Sequence, residues 1–255
     1  MDLGLEGKVA LVTGGSRGLG KAIAASLAAE GAKVAVCARH EEPLRDAAEE
    51  IGGDVLAVPA DVTVEEDQER FLEAIRDRWR EPEILVHNVG GNRRGKIWET
   101  SDEDWNAILE LNLTCHVRLS RMALEAMRDR GQGSILFVSS IFGREAGGPG
   151  LAIYNSTKSA LISVAKIMAL ELAPDGIRVN SIAPGSIRFP GGSWDRRCRE
   201  QPEKMKEFVA DNIPMGRFGR AEEIGDVAAF LVSERAGWIT GACVNVDGGQ
   251  SRSLF

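Results

Sequence analysis

Residues 8–20 read KVALVTGGSRGLG, an apolar run followed at once by a glycine-rich turn, and an alanine-rich segment continues to residue 30. The apolar run is typical of a buried parallel strand. A strand, a glycine turn and a helix in this order form a cradle for phosphate, because glycines allow close backbone approach and the helix N-terminus presents free N–H groups. The spacing Gly14, Gly18, Gly20 is not the commonest dinucleotide-binding pattern, so a purely structural turn is the alternative.

Apolar runs and helical patterns alternate along the rest of the chain. The further predicted strands are residues 33–38, 54–58, 82–87, 133–138, 177–182 and 242–246, and the further predicted helices are residues 42–51, 64–80, 102–130, 151–173 and 221–233. This alternation predicts an α/β fold, a single Rossmann-type doubly wound parallel sheet of about seven strands with helices on both faces. No composition shift or repeat interrupts it, so residues 1–255 are predicted to form one domain.

The residue that ends the second predicted strand indicates which cofactor binds. An acidic residue there would bind the 2′-hydroxyl of NAD, but positions 38–40 hold alanine, arginine and histidine. Arg39, with Arg17 from the glycine turn, suits the 2′-phosphate of NADP because a guanidinium group matches phosphate geometry. The sequence therefore favours NADP(H), with NAD(H) possible; a solvated arginine at a strand end is the alternative.

Tyr154 is the only tyrosine in the chain, and Lys158 follows it four residues later. On a helix these positions share one face, so the ammonium can lie beside the phenol. A positive charge roughly 4 Å away would lower the phenol pKa from about 10 towards neutrality, which suits a group that donates and accepts protons. A surface tyrosine beside a solvated lysine explains the same residues about equally well.

Several motifs together resemble the short-chain dehydrogenase/reductase family, and in particular its branch similar to 3-oxoacyl-acyl carrier protein reductases. The resemblance runs from Leu5 to Gly249. The matching motifs are Gly14-x3-Gly18-x-Gly20, Asn88-x-Gly90, Asn112, Ser140, Tyr154-x3-Lys158, Pro184-Gly185 and Asp247-Gly248-Gly249. Each motif alone is weak, but their order and their positions at strand ends leave little room for chance.

The resemblance implies a reversible hydride transfer between NADP(H) and a carbonyl or secondary alcohol. It implies that Tyr154 is the acid and base, that Lys158 lowers its pKa and binds the nicotinamide ribose, and that Ser140 binds the substrate oxygen. It also implies that Asn112 distorts its helix and holds a water of a proton relay to Lys158. Ser139 is expected to be structural. The rivals are a non-catalytic dinucleotide-binding regulatory protein on the same fold and an NAD-dependent alcohol dehydrogenase of the same family.

The expected cofactor-binding residues come from the ends of several predicted strands. They are Gly14, Ser16, Arg17, Gly18, Leu19, Gly20, Arg39, Asp61, Val62, Asn88, Gly90, Tyr154, Lys158, Pro184, Gly185 and Ile187. Phe189 stands where the family often has a threonine that contacts the nicotinamide amide. The sequence does not decide how Phe189 affects the position of the nicotinamide ring.

Residues 186–211 are predicted to form a substrate lid, a loop with one short helix. Basic residues near this lid and after Asn88 could form a rim that favours an anionic substrate such as a carboxylate or an acyl-CoA. These residues are Arg93, Arg94, Lys96, Arg188, Arg196, Arg197 and Arg199. Solvated charge on loops is the simpler alternative. Asp175 also stands where many carrier-protein reductases have an arginine.

The composition argues against several other classes of protein. A net charge of −7 argues against nonspecific nucleic-acid binding, and no apolar run reaches the ~18 residues of a membrane helix. The four cysteines and three histidines lack metal-ligand spacing, so no metal is expected. The expected protein is cytoplasmic. The resemblance implies a homotetramer or homodimer, and the apolar helices predicted at residues 102–130 and 151–173 are candidates for its interface.

Overall fold

Seven parallel strands form the central sheet of the computed structural model, which describes residues 2–254. The strands of this sheet are β1 (Val9–Thr13), β2 (Lys33–Ala38), β3 (Val55–Pro59), β4 (Ile84–His87), β5 (Gly133–Val138), β6 (Ile177–Pro184) and β9 (Cys243–Val246). Two short strands lie outside it, β7 (Ile187–Arg188) and β8 (Gly219–Arg220). The sheet has the order β3-β2-β1-β4-β5-β6-β9, while β7 and β8 pair separately. The order reverses between β1 and β4, which is where doubly wound sheets bind ligands.

Helices cover both faces of this sheet, as predicted. They are α1 (Gly18–Ala29), α2 (Glu41–Ile51), α3 (Glu65–Arg78), α4 (Asp102–Leu109), α5 (Cys115–Arg130), α6 (Ala152–Leu172), α7 (Ser193–Glu200), α8 (Pro202–Asn212) and α9 (Ala221–Val232). Successive side chains of a strand point to opposite faces. Ala10 and Val12 of β1 therefore join an apolar cluster with α1, α2 and α9, whereas Val9 and Leu11 join a second cluster with α3, α5 and α6.

The predicted helix at residues 102–130 contains a distortion at Asn112. A π-helical segment, Glu110–Thr114, separates α4 from α5. Asn112 is fully buried, and its side-chain amide binds the backbone N–H and C=O of Gly91. π-helical turns inside α-helices are rare and are frequent at functional sites. The distortion that the family resemblance implied is therefore present, and it turns Asn112 towards the end of β4.

The segment predicted as a substrate lid, residues 186–211, contains α7 and most of α8 rather than the one short helix that was predicted. Its role as a lid stays a prediction. Pro202 begins α8, and a proline lacks the N–H that would continue the preceding helix. Trp194 of α7 stacks on Phe208 of α8 with ring centroids 4.7 Å apart, and it also contacts Phe218 at 5.2 Å. This aromatic cluster supplies the apolar contacts that hold the two short helices together.

Helix α6 buries only part of its apolar surface within the chain. Leu161, Ala165 and Ala169 are buried against the sheet, whereas Ile167 and Leu170 are 51% and 64% exposed. The predicted oligomer would cover these side chains, and it stays a prediction. Among the helices of residues 2–254, none has both the length and the apolar character needed to cross a lipid bilayer.

Candidate active site

A cavity of about 570 Å³ opens at the carboxyl ends of the strands, and it brings together three of the four predicted catalytic residues and several of the predicted cofactor-binding residues. Its inner lining includes Leu19, Asn88, Gly90, Ser140, Tyr154, Lys158 and Gly185. Pro184 precedes Gly185 in the chain, and Ile187 follows it two residues later. Arg39, Asp61 and Val62 lie outside this cavity, at the ends of β2 and β3. Their positions are those expected for the adenosine half of a dinucleotide.

The glycine turn leaves backbone donors open at the start of α1. The backbone N–H groups of Gly14 and Gly15 donate to the carbonyl of Cys37 at 2.9 and 3.0 Å, which ties the turn to the end of β2. No side chain caps α1, and its first turn has no acidic residue. A Cβ on Gly20 would lie 2.2 Å from the Gly14 carbonyl oxygen, so only glycine fits there. This arrangement fits a phosphate group.

Thr13 joins the glycine turn to the loop after β4. Its hydroxyl accepts the backbone N–H of Asn88 at 3.0 Å, and the Asn88 side-chain amide donates to the Thr13 carbonyl at 2.9 Å. The amide also reaches the Gly14 carbonyl at 3.3 Å. Asn88 therefore braces the turn. Thr13 was not among the predicted site residues, although its position between a strand and a glycine turn could have indicated it.

Asn112 links the loop after β4 to α6. Its Oδ1 accepts the Gly91 N–H at 2.8 Å, and its Nδ2 donates to the Gly91 carbonyl and to the Thr157 hydroxyl, both at 2.9 Å. Thr157 precedes Lys158, so the same contacts position the lysine. Thr157 was also not among the predicted site residues, although its position inside the Tyr154-x3-Lys158 motif could have indicated it. The water relay stays a prediction.

Ser140 and Tyr154 both line the cavity, and the Ser140 side chain is near enough to the Tyr154 hydroxyl to influence its pKa. Ser140 begins the turn after β5, and its hydroxyl accepts the Phe142 N–H at 3.2 Å. Ser139 instead turns inward and donates to the Lys158 carbonyl at 2.9 Å, which agrees with the structural role expected of it. The two hydroxyls of Ser140 and Tyr154 can therefore reach the same substrate oxygen.

The predicted lowering of the Tyr154 pKa by Lys158 is wrong for this structure. Burial, the largest cause, raises the Tyr154 pKa above its ordinary value, and the hydrogen bond from Ser140 opposes it without reversing it. Lys158 Nζ lies 5.9 Å from the Tyr154 ring centroid and donates to the Val138 carbonyl at 2.9 Å. Desolvation therefore decides the direction of the shift, and the phenol is protonated near neutral pH.

Lys158 is itself a buried cation. Burial lowers its pKa to about 8, so the ammonium form persists below that pH. A Cβ on Gly90 would lie 3.1 Å from Nζ, so the loop after β4 approaches the lysine closely.

His116, which was not predicted from the sequence, binds the Val89 carbonyl through Nε2 at 2.9 Å. Burial and then the charge of Lys158 lower the His116 pKa to about 3, so this imidazole is neutral and donates to that loop.

Arg17 and Arg39 stand free of carboxylates. Within residues 2–254 neither forms an ion pair, whereas nearby Lys21 pairs with Glu50. The hydrogen bonds between the glycine turn and Cys37 bring the backbone segments that carry both arginines to one end of β2. Two free guanidinium groups at this position fit a phosphate on the adenosine ribose.

Asp61 and Phe189 have more local roles in the structure. Asp61 Oδ1 accepts hydrogen bonds from the Thr63 N–H and hydroxyl, at 3.0 and 2.8 Å. Phe189 does not line the cavity. Its ring packs on the glycine turn instead, because a Cβ on Gly18 would lie 2.7 Å from it. Phe189 therefore leaves the space for a nicotinamide open, although it offers no polar contact to the amide.

Comparisons with known proteins agree with this geometry. A family profile described as enoyl-(acyl carrier protein) reductase matches residues 14–251. The chain is 38% identical to the 3-oxoacyl-[acyl-carrier-protein] reductase FabG of Escherichia coli over 97% of this chain and 98% of that protein. It is also 38% identical to a tropinone reductase homolog of Arabidopsis thaliana, over 98% of this chain and 93% of that protein. Among solved structures, L-sorbose reductase from Gluconobacter frateurii, complexed with NADPH and L-sorbose, superimposes with a TM-score of 0.94, at 36% identity and full coverage of both chains.

Proposed function

The chain belongs to the short-chain dehydrogenase/reductase family of oxidoreductases, and we propose that it reduces a carbonyl group to a secondary alcohol with NADPH. One observation carries the proposal. Ser140, Tyr154 and the buried Lys158 line one cavity, which continues to the glycine turn through Leu19 and Asn88. The related L-sorbose reductase binds NADPH, which supports the choice of cofactor.

In this proposal NADPH supplies the hydride. The residues of the chain bind the cofactor, orient the substrate and protonate its carbonyl oxygen. The open N–H groups at the start of α1 hold the pyrophosphate. Ser140 and Tyr154 bind the carbonyl oxygen, and the Tyr154 hydroxyl donates its proton as negative charge develops there. Lys158 binds the ribose of the nicotinamide half and supplies positive charge. Asn112 supports the relay that returns a proton.

The raised pKa of Tyr154 favours reduction over oxidation near neutral pH. Burial keeps the phenol protonated, and the protonated phenol is the form that donates to a carbonyl oxygen. Oxidation of an alcohol needs the phenolate as base, and desolvation disfavours that form. We therefore propose that alcohol oxidation becomes significant only at alkaline pH.

A substrate screen tests the proposed function directly. NADPH absorbance is followed with ketones and acyl thioesters, and NADP⁺ and NAD⁺ reduction is followed with secondary alcohols. Consumption of NADPH by at least one carbonyl is the expected result. A regulatory dinucleotide-binding protein would bind NADPH and turn over none of these compounds. An NAD-dependent alcohol dehydrogenase would prefer NAD⁺ and the alcohols.

Replacing Arg39 is expected to reverse the cofactor preference. Arg39→Asp removes a guanidinium from the 2′-phosphate site and adds a carboxylate that can bind the 2′-hydroxyl of NADH. Because one charge-assisted hydrogen bond contributes roughly 1.5–3 kcal/mol, kcat/KM for NADPH should fall about 10- to 100-fold. Arg45→Asp, an equal charge change at an exposed position of α2, is the control. Unchanged kcat/KM for NADPH in Arg39→Asp would contradict the assigned role.

We further propose a homodimer or homotetramer whose interface includes α6. Ile167 and Leu170 expose apolar surface on this helix, and burial of such side chains drives subunit association. Light scattering is expected to give two or four times the chain mass of 27.5 kDa. Leu170→Glu should shift the protein towards the chain mass. A wild-type protein that is monomeric at micromolar concentration would rule the interface out.

A further inference from the structure

The wall of the active-site cavity carries positive charge only. Its lining includes four cationic side chains, Arg94, Lys158, Arg196 and Arg197, and none of the described residues that line it is an aspartate or glutamate. The chain as a whole has a net charge of −7. The absence of acidic residues from the described lining is therefore not what the acidic composition of the chain would lead one to expect.

Ion pairing separates these arginines from the other basic residues nearby. Arg93 pairs with Asp104 at 3.1 Å, and Asp195 pairs with Arg188 at 3.1 Å and with Arg199 at 2.9 Å. The paired arginines Arg93, Arg188 and Arg199 do not line the cavity. Their charges are neutralised locally and cannot account for ligand binding.

The arginines of the cavity wall are the unpaired ones. Within residues 2–254, no carboxylate lies within ion-pair distance of Arg94, Arg196 or Arg197, and all three line the cavity of Ser140 and Tyr154. If these arginines were only solvated surface charges, ion-paired and unpaired ones would be expected both inside and outside the cavity. The sorting favours a ligand that carries the missing negative charge.

Arg197 is the best placed of the three to bind an anion. Its guanidinium carbon lies 4.9 Å from the Trp194 ring centroid, and Trp194 is stacked on Phe208. Stacking on an aromatic face holds a guanidinium in place and leaves its N–H edge free for a carboxylate or phosphate. Arg197 is half-buried, whereas Arg94 and Arg196 are exposed and more strongly screened by solvent.

The cofactor has other groups for its own phosphates. The open N–H groups at the start of α1 face the pyrophosphate position, and Arg17 and Arg39 stand at the end of β2. We infer that Arg197, with Arg94 and Arg196, binds an oxyanion group of the substrate, so that the substrate is a small ketone carrying a carboxylate or a phosphate. The inference rests on the proposed reductase function. The cavity of about 570 Å³ has the size of small-molecule sites.

Matched pairs of carbonyl compounds test this inference. Acetoacetate is compared with its methyl ester, and dihydroxyacetone phosphate with dihydroxyacetone, which separates the carboxylate from the phosphate. In the wild type, kcat/KM is expected to be at least about tenfold higher for the charged member of one pair, because hydrogen bonds to charged groups are the stronger ones. This advantage should shrink as salt is raised, since the arginines are partly exposed.

Arg197→Gln is expected to lower kcat/KM for the anion about tenfold and to change that for the neutral partner much less. Arg199→Gln removes the same charge from the same helix, but Arg199 pairs with Asp195 and does not line the cavity. This control should retain the anion preference. Equal kcat/KM for both members of each pair would overturn the inference. An equal loss for both members in Arg197→Gln, or a loss confined to NADPH binding, would overturn it as well.

A binding measurement separates this inference from the proposed function. The fluorescence of NADPH bound to the protein is titrated with acetoacetate, its methyl ester, dihydroxyacetone phosphate and dihydroxyacetone. If no carbonyl is reduced, the reductase proposal fails, but tight binding of an anion that is lost in Arg197→Gln would still support the oxyanion site. Failure of every anion to bind better than its neutral partner would overturn the site even in an active enzyme.

Discussion

Tyr154→Phe is expected to reduce kcat by about 100- to 10,000-fold, because general acid catalysis contributes roughly 10²–10⁴-fold. Phenylalanine keeps the ring and its packing but lacks the hydroxyl that donates the proton in the proposed mechanism. No other tyrosine exists in the chain to replace it. The measurement is NADPH consumption with the best carbonyl from the screen, together with NADPH affinity from cofactor fluorescence.

The cofactor affinity of Tyr154→Phe provides the control. It should change only a few-fold, because the glycine turn, Arg17 and Arg39 hold most of the dinucleotide in the proposed site. Ser140→Ala should lose less activity than Tyr154→Phe, since it removes one hydrogen bond to the substrate oxygen and leaves the proton donor in place. A Tyr154→Phe variant with a tenth or more of the wild-type kcat would refute the assigned role of the phenol.

Lys158→Met is expected to lower kcat/KM by at least about 100-fold, a loss typical of removing one electrostatic group from an active site. Methionine is long and apolar and fits the buried path of the lysine, but it brings no charge to the ribose and no donor to the Val138 carbonyl. Lys166→Met, an exposed position on the same helix, is the matched control and should retain activity. Wild-type activity in Lys158→Met would contradict the proposed mechanism.

The same variant tests the pKa of Lys158 through protein stability. Burial lowers this pKa to about 8 from the ordinary 10.5. Below pH 8 both folded and unfolded chains carry the charge, and its burial costs about 3 kcal/mol. Between pH 8 and 10.5 the folded protein releases the proton first, so the contribution of Lys158 to the free energy of unfolding rises with pH.

The free energy of unfolding of Lys158→Met, minus that of the wild type, should therefore fall by about 3 kcal/mol as pH rises through this window. Urea unfolding at several pH values measures the difference. Both proteins contain Cys37 and Cys115, whose pKa values burial raises to about 12, so the effects of these thiols largely cancel. A difference that does not change with pH would mean that Lys158 titrates normally.

The parallel sheet and the glycine turn were predictable because their signals are local. Each strand is a short apolar run, and β1 passes directly into Gly14 and α1. The end of α1 was equally local. Gly31 adopts a positive φ of 81°, and the N–H of Ala32 binds the carbonyl of Leu27 at 3.1 Å, as in a Schellman cap. Such features depend on neighbouring residues alone.

The errors concern contacts between distant parts of the chain. The spacing of Tyr154 and Lys158 indicated a shared face, but only the fold shows that Lys158 turns to the Val138 carbonyl and that burial dominates the phenol pKa. The second lid helix is held by Trp194 and Phe208, which a polar local sequence does not reveal. The Arg188–Asp195 pair likewise needed the relative positions of β7 and α7.

The π-helical segment at Asn112 restricts how this enzyme can be redesigned. A π turn holds one residue more than a regular α turn. Deleting a single residue from Glu110–Thr114 would replace the wide turn by regular α-helix. Asn112 would then lose the position from which it binds Gly91 and Thr157. Loop swaps and chimeras between relatives must therefore keep the length of this segment.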